Sequence, residues 1–322
     1  MRTTSALALA AFVALGGCER RFAGVSLMTR SQAAPWNGGP AGGLEMTTRR
    51  YRIYTTAAEP LLLKHLPGFL EAACDNYLLL TGLPDRPDAA PMTVYMMGSR
   101  SEWADLTRAV VKSNLEAYLA VEAGGYCYQG VCVYWDMGGL GTLSVAAHEG
   151  MHQFLARRTR QPLPMWAEEG LCVTAEGCSI EDGAVAFTPE RNPFRFSDLR
   201  AAIIQDRWIP LKRLLSMDAG DVTTQATERA VGYYGQLWAL IMYVRSQPGY
   251  AGGLARMIAD AQAGTLHNEL QLQADAIEKL RVHSRLYNRT LSEPLFRRYV
   301  TQDLDRFEQQ YRRFARRFVR LE

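Results

Sequence analysis

A chain of 322 residues, 48% hydrophobic and 21% charged, can bury one large core or two modest ones, which excludes a disordered chain. Its 36 basic and 33 acidic residues leave a formal charge of only +3. No nucleic-acid partner is therefore expected, and partner preference must come from local sites.

The N-terminal MRTTSALALAAFVALGGC places one arginine before an apolar run from Ala6 to Leu15. That run is too short to span a bilayer and reads as an export signal over residues 1–17. Leu15–Cys18 (LGGC) resembles the bacterial lipobox. The resemblance implies an exported protein anchored to the membrane through lipid on Cys18, and Glu19 after it implies the periplasmic side of the outer membrane; cleavage without lipid is the alternative. Residues 18–45, rich in Gly, Pro and Ala, suit a flexible tether.

From Met46 onwards, TTRRYRIYTT and APMTVYMMGS are β-branched and aromatic runs. Helical segments follow them, near Glu59–Leu80 and Ser101–Lys112, so a small mixed sheet with packed helices is expected. GGYCYQGVCVYWD, Gly124–Asp136, has the alternation of a hairpin turning at Gln129–Gly130. After MGGLG, Thr142 or Ser144 can cap the next helix. Beyond it the pattern is mostly helical, ending in a run from Phe296 whose aromatic residues recur every three or four positions, with arginines between them. That run reads as one amphipathic helix packed on the body, with anionic lipid contact as the alternative. The expected class is α+β, with an upper lobe over 46–158 and a helical lower lobe over 159–322.

In an oxidising compartment the cysteine spacing suggests disulfides Cys127–Cys132 and Cys172–Cys178, leaving Cys74 unpaired, with a zinc cluster built on these thiols as the rival reading. His65, His267 and His283 are isolated, are expected to be surface or capped residues, and carry no functional assignment. Asn288 lies in an NRT glycosylation pattern that a bacterial lipoprotein would not use.

The chemistry centres on LSVAAHEGMHQF, Leu143–Phe154. Residues four apart lie above one another on a helix, so His148 and His152 can aim ring nitrogens at one ion about 2 Å from each. Glu149, next to His148, can accept a proton from water at that ion without binding it. Gly150 is unexpected, because glycine inside a helix costs roughly 1 kcal/mol relative to alanine; it makes room either for substrate or for a neighbouring helix. Sixteen residues after His152, LPMWAEEGLCVTAE supplies Glu168, Glu169 and Glu176. Glu168 and Glu169 point about 100° apart on a helix and cannot comfortably share one ion. Glu176, seven residues after Glu169, can orient a ligating histidine. These carboxylates could equally serve only to cap and solvate a helix start.

HExxH followed by W-x-x-E-G resembles the gluzincin zinc metallopeptidases. The match is closest to their peptidase-MA-like group and more distant to the aminopeptidases that carry a GAMEN element, which this chain lacks. The resemblance implies a zincin-like fold, Zn2+ held by His148, His152 and Glu169, and Glu149 as general base. It also implies a carbonyl-polarising tyrosine at Tyr234, with Tyr233 as the alternative. The expected reaction is hydrolysis of a peptide or protein substrate, by an endopeptidase rather than an exopeptidase, with substrate backbone adding along the hairpin edge. The rivals are a non-catalytic zincin-like binding lipoprotein and a metal hydrolase acting on something other than peptides.

Overall fold

In a computed structural model the described residues are 24–121, 124–218, 220–221, 227–268, 270 and 284–322. Residues 1–17 and Cys18 lie outside them. The architecture is α+β, 55% helical and 14% strand.

Six strands form the main sheet in the order β2-β3-β4-β5-β7-β6: β2 Gln32–Pro35, β3 Leu44–Thr47, β4 Tyr51–Thr55, β5 Met92–Met97, β6 Gly125–Tyr128 and β7 Val131–Trp135. β4, β5 and β7 run parallel, and the outer strands pair antiparallel. A period of two sorts their side chains. Tyr51, Ile53, Met92, Val94, Met96, Cys132 and Tyr134 belong to the large core, whereas Met97, Val133 and Trp135 face the other way into a smaller aromatic core around Trp103. α1 (Pro60–Thr81) and α4 (Gly139–Arg158) pack on the first face. α2 (Arg100–Val110) packs on β5 and β7, and α3 (Leu115–Leu119) packs on α2.

Beyond α5 (Met165–Ala175) the chain makes the hairpin β8 (Cys178–Glu181) and β9 (Ala184–Phe187). It then runs through α6 (Pro193–Ile204), α7 (Leu211–Ser216), α8 (Thr227–Ser246), α9 (Pro248–Ala263), α10 (Ser284–Tyr299) and α11 (Leu304–Phe318). Among the described residues no helix is long and apolar enough to cross a membrane.

Several expectations are corrected. The described part of the stretch read as a tether is structured: β2 and β3 form one side of the sheet, and β1 (Val25–Ser26) pairs with β9. Leu27 is fully buried in the core, with its carbonyl against Gly68 of α1, where any Cβ would sit 2.0 Å from that oxygen. The terminal aromatic run is two helices rather than one. Asp303 starts the second by accepting the Arg306 amide at 3.0 Å, and Leu304, Phe307, Tyr311 and Ala315 bury its inner stripe while the arginines stay outside. All five described cysteines carry free thiols. Cys127 and Cys132 lie opposite each other across the β6–β7 hairpin, but Cys132 Sγ donates to the Glu149 carbonyl at 3.2 Å. Cys172 is buried inside α5, whereas Cys178 opens β8.

Asn288, on α10, is fully buried. It donates to the Leu215 and Met217 carbonyls and accepts the first amide of α5 from Met165 at 3.0 Å, so in the fold its side chain is a structural brace. His267, expected at the surface or at a cap, is instead buried, 2% exposed and 2.7 Å from the Tyr287 hydroxyl.

Candidate metal centre

α4 carries the histidines and is fixed to its surroundings at three points. Gln153 donates from Nε2 to the Thr93 carbonyl on β5 at 2.7 Å and to the Gly130 carbonyl at 2.8 Å. That second carbonyl belongs to the tight turn made by Gln129 and Gly130, both at positive φ. Tyr77 of α1 donates to the Ala147 carbonyl at 2.8 Å, and Cys132 holds the next turn as described. Gly150 is explained by Tyr77: a Cβ there would lie 2.4 Å from the phenol oxygen. The glycine makes room for a neighbouring helix, not for substrate. The helix begins at Gly139, earlier than either proposed cap. Thr142 sits inside its first turn, where its hydroxyl takes the Met137 amide at 2.9 Å and gives to Asp136 at 3.1 Å.

α5 packs alongside α4 and brings Glu169, 3% exposed, beneath both imidazoles. Glu169 Oε2 lies 3.4 Å from His148 Nε2 and 3.7 Å from His152 Nε2. Those separations are too long for hydrogen bonds. They match the spacing of ligand atoms around one tetrahedral ion: atoms about 2 Å from the ion stand roughly 3.3 Å apart. Oε2 is fully buried without a hydrogen-bond partner, a costly arrangement unless a cation satisfies it.

The outer ring nitrogens are held as well. His148 Nδ1 meets Glu176 Oε1 at 2.8 Å, and His152 Nδ1 meets Glu168 Oε1 at 2.8 Å. A carboxylate on each Nδ1 leaves each Nε2 as the nitrogen free to coordinate. Glu176 thus takes the orienting role expected of it. Glu168, excluded as a ligand on angular grounds, plays the same part for the second histidine, which the sequence reading did not assign. The side chains of His148 and His152 keep 14% and 16% exposure, so solvent reaches the site.

The electrostatics follow from burial among mixed charges. Burial pushes the Glu169 carboxyl up, but the charges and contacts of His152 and His148 hold it well below the usual carboxylate range. Glu176, also opposed by burial, is drawn down to about 2 by Arg195 and His148. Burial disfavours a charged His148, yet Glu169 and Glu176 raise it to about 9. His152 is likewise raised, against burial, by Cys172 and Glu169. Glu149, 9% exposed, is pushed above the ordinary range by burial against the pull of His148 and His152. Such a shift suits a group that must both accept and return a proton.

Tyr234, on α8, stands edge-on to His148 with ring centroids 6.1 Å apart. Burial, and then Glu169, keep its phenol protonated far into the alkaline range. Tyr233, the alternative, is fully buried and packs on Tyr234 at 5.1 Å. A residue that sequence reasoning missed is Cys172: its sulfur and ring nitrogens of His148 and His152 lie within 4.8 Å of one another. The position was visible as i+3 from Glu169, one turn along the same face, but it had been read as half of a disulfide. As a third donor Glu169 fits better, because its free oxygen approaches both Nε2 atoms at ligand spacing. An apolar cavity of about 570 Å³ is lined by Leu80, Arg245, Leu254 and Phe318 among others, and by none of these site residues.

The donor set His148, His152 and Glu169 fits a divalent cation. Comparison with family models, with curated proteins and with solved structures gives no match, so the reading rests on this geometry.

Proposed function

We propose that the chain is a zinc-dependent peptidase, an endopeptidase in preference to an exopeptidase, exported and held at the cell envelope by lipid on Cys18. The observation that carries the proposal is the convergence of both Nε2 atoms on the unpartnered Glu169 Oε2, with each Nδ1 committed to a carboxylate. Two imidazoles, one carboxylate and a solvent-facing side are what a catalytic rather than a structural zinc requires.

Zinc, when bound, supplies an acidified water and polarises a substrate carbonyl. Glu149 takes the proton from the attacking water and returns it to the departing amide nitrogen. Tyr234 keeps its proton and donates a hydrogen bond to the carbonyl oxygen as charge builds there. β6 is the end strand of the sheet and packs against α4, so its free edge offers main-chain groups to an extended substrate.

Cys172 favours a second reading. A thiolate completing the tetrahedron would close the site, and the protein would then be a non-catalytic binding lipoprotein. Elemental analysis of the purified chain, followed by incubation with an unfolded protein substrate, separates the two. One zinc per chain with cleavage that Glu149→Gln abolishes supports the peptidase, whereas one zinc without cleavage supports the closed site.

A further inference from the structure

The geometry points to Arg195 as a positioning residue of this site, acting on the metal through Glu176 and His148 and walling in Tyr234; the inference rests on the metal-site reading above. Arg195 comes from the first turn of α6, where Asn192 caps the helix by accepting the Arg195 amide at 3.2 Å. Its guanidinium grips Glu176 with both prongs, Nε to Oε2 and Nη2 to Oε1, each at 2.8 Å, while Nη1 is held by Asp198 at 3.1 Å. Asn192 adds a third donor to Glu176 Oε2 at 3.1 Å. A buried carboxylate with that many donors stays ionised and can only accept from His148. When that imidazole is neutral, its one proton is therefore held at Nδ1, and the lone pair at Nε2 faces Glu169.

The same guanidinium lies over the Tyr234 ring, 5.2 Å from its centroid, so one side chain touches both the group that orients a ligand and the candidate carbonyl donor. α6 and α8 make this possible by packing with almost no spacer: a Cβ on Gly235 would sit 2.7 Å from the Leu199 amide nitrogen. Lysine could keep the charge but not the two-pronged grip or the planar stacking.

The test measures zinc affinity of the full chain by competition with a chromophoric chelator, together with the low-field proton signal of the His148 Nδ1–H. Arg195→Met should weaken zinc about ten- to a hundredfold and displace that signal. Introduced together with Glu176→Gln it should cost nothing beyond Glu176→Gln alone, because Arg195 acts through Glu176; a residue that merely supports the fold would add its loss independently. If Arg195→Met does not fold, Arg195→Lys carries the test, with about tenfold weaker binding that is again absorbed by Glu176→Gln. A wild-type chain that takes up no zinc overturns the metal reading and the inference with it. A wild-type chain that binds zinc, beside an Arg195 variant that binds as tightly with the proton signal unmoved, overturns the inference alone.

Discussion

Zinc uptake should expel protons. In the metal-free chain Glu169 and Glu176 lift His148 to about 9, so near pH 7.5 its imidazole is protonated, and His152 is raised in the same direction. Glu169 is held far below neutrality and has no proton to lose. Coordination needs each Nε2 bare, so binding at pH 7.5 should release close to one proton from His148, with His152 adding to it. Two histidines at the unperturbed value of about 6.5 would together release only about 0.2. Affinity should rise about tenfold per pH unit for each ring that is protonated, and the His148 share should level off as pH passes about 9. The metal-free fold has the opposite dependence: a raised His148 contributes stability that is fully present below about pH 6.5 and is lost as pH climbs through about 9. Isothermal titration calorimetry in buffers of different ionisation enthalpy counts the protons directly. A release near zero at pH 7.5 would refute the claim that the buried carboxylates Glu169 and Glu176 hold the His148 imidazole charged.

Glu169→Ala removes the third donor and should strip zinc during a dialysis that leaves the wild-type chain loaded, as read by elemental analysis. Glu149→Gln should keep one zinc per chain while lowering cleavage of an unfolded substrate by roughly a hundred- to ten-thousandfold; loss of the zinc instead would make Glu149 a ligand. Gly150→Ala drives a methyl to 2.4 Å from the Tyr77 oxygen and should destabilise the fold by about 1–3 kcal/mol in urea titration. In a Tyr77→Phe background, with that oxygen gone, the same change should become neutral or gain up to about 1 kcal/mol of helix propensity.

How much of this was legible depended on how local each signal was. The spacing of His148 and His152 and the i+7 relation of Glu169 to Glu176 are properties of single helices, so one turn of arithmetic predicts which side chains share a face. The β6–β7 hairpin announced itself through Gln129–Gly130, and the Asp182–Gly183 pair, both at positive φ, was an equally good turn signal for β8–β9, lost inside a helical expectation. Glu168 was dismissed by correct geometry applied to too narrow a question. Pointing away from the ion is what lets it reach the far nitrogen of His152. Arg195 could not be read at all, because nothing in NPFRFSD says that α6 will pack against α8 closely enough to set its guanidinium between Glu176 and Tyr234. Local periodicity therefore locates the donors, while tertiary packing selects which nitrogen of each imidazole is left to bind; the second step makes a pair of histidines a metal site.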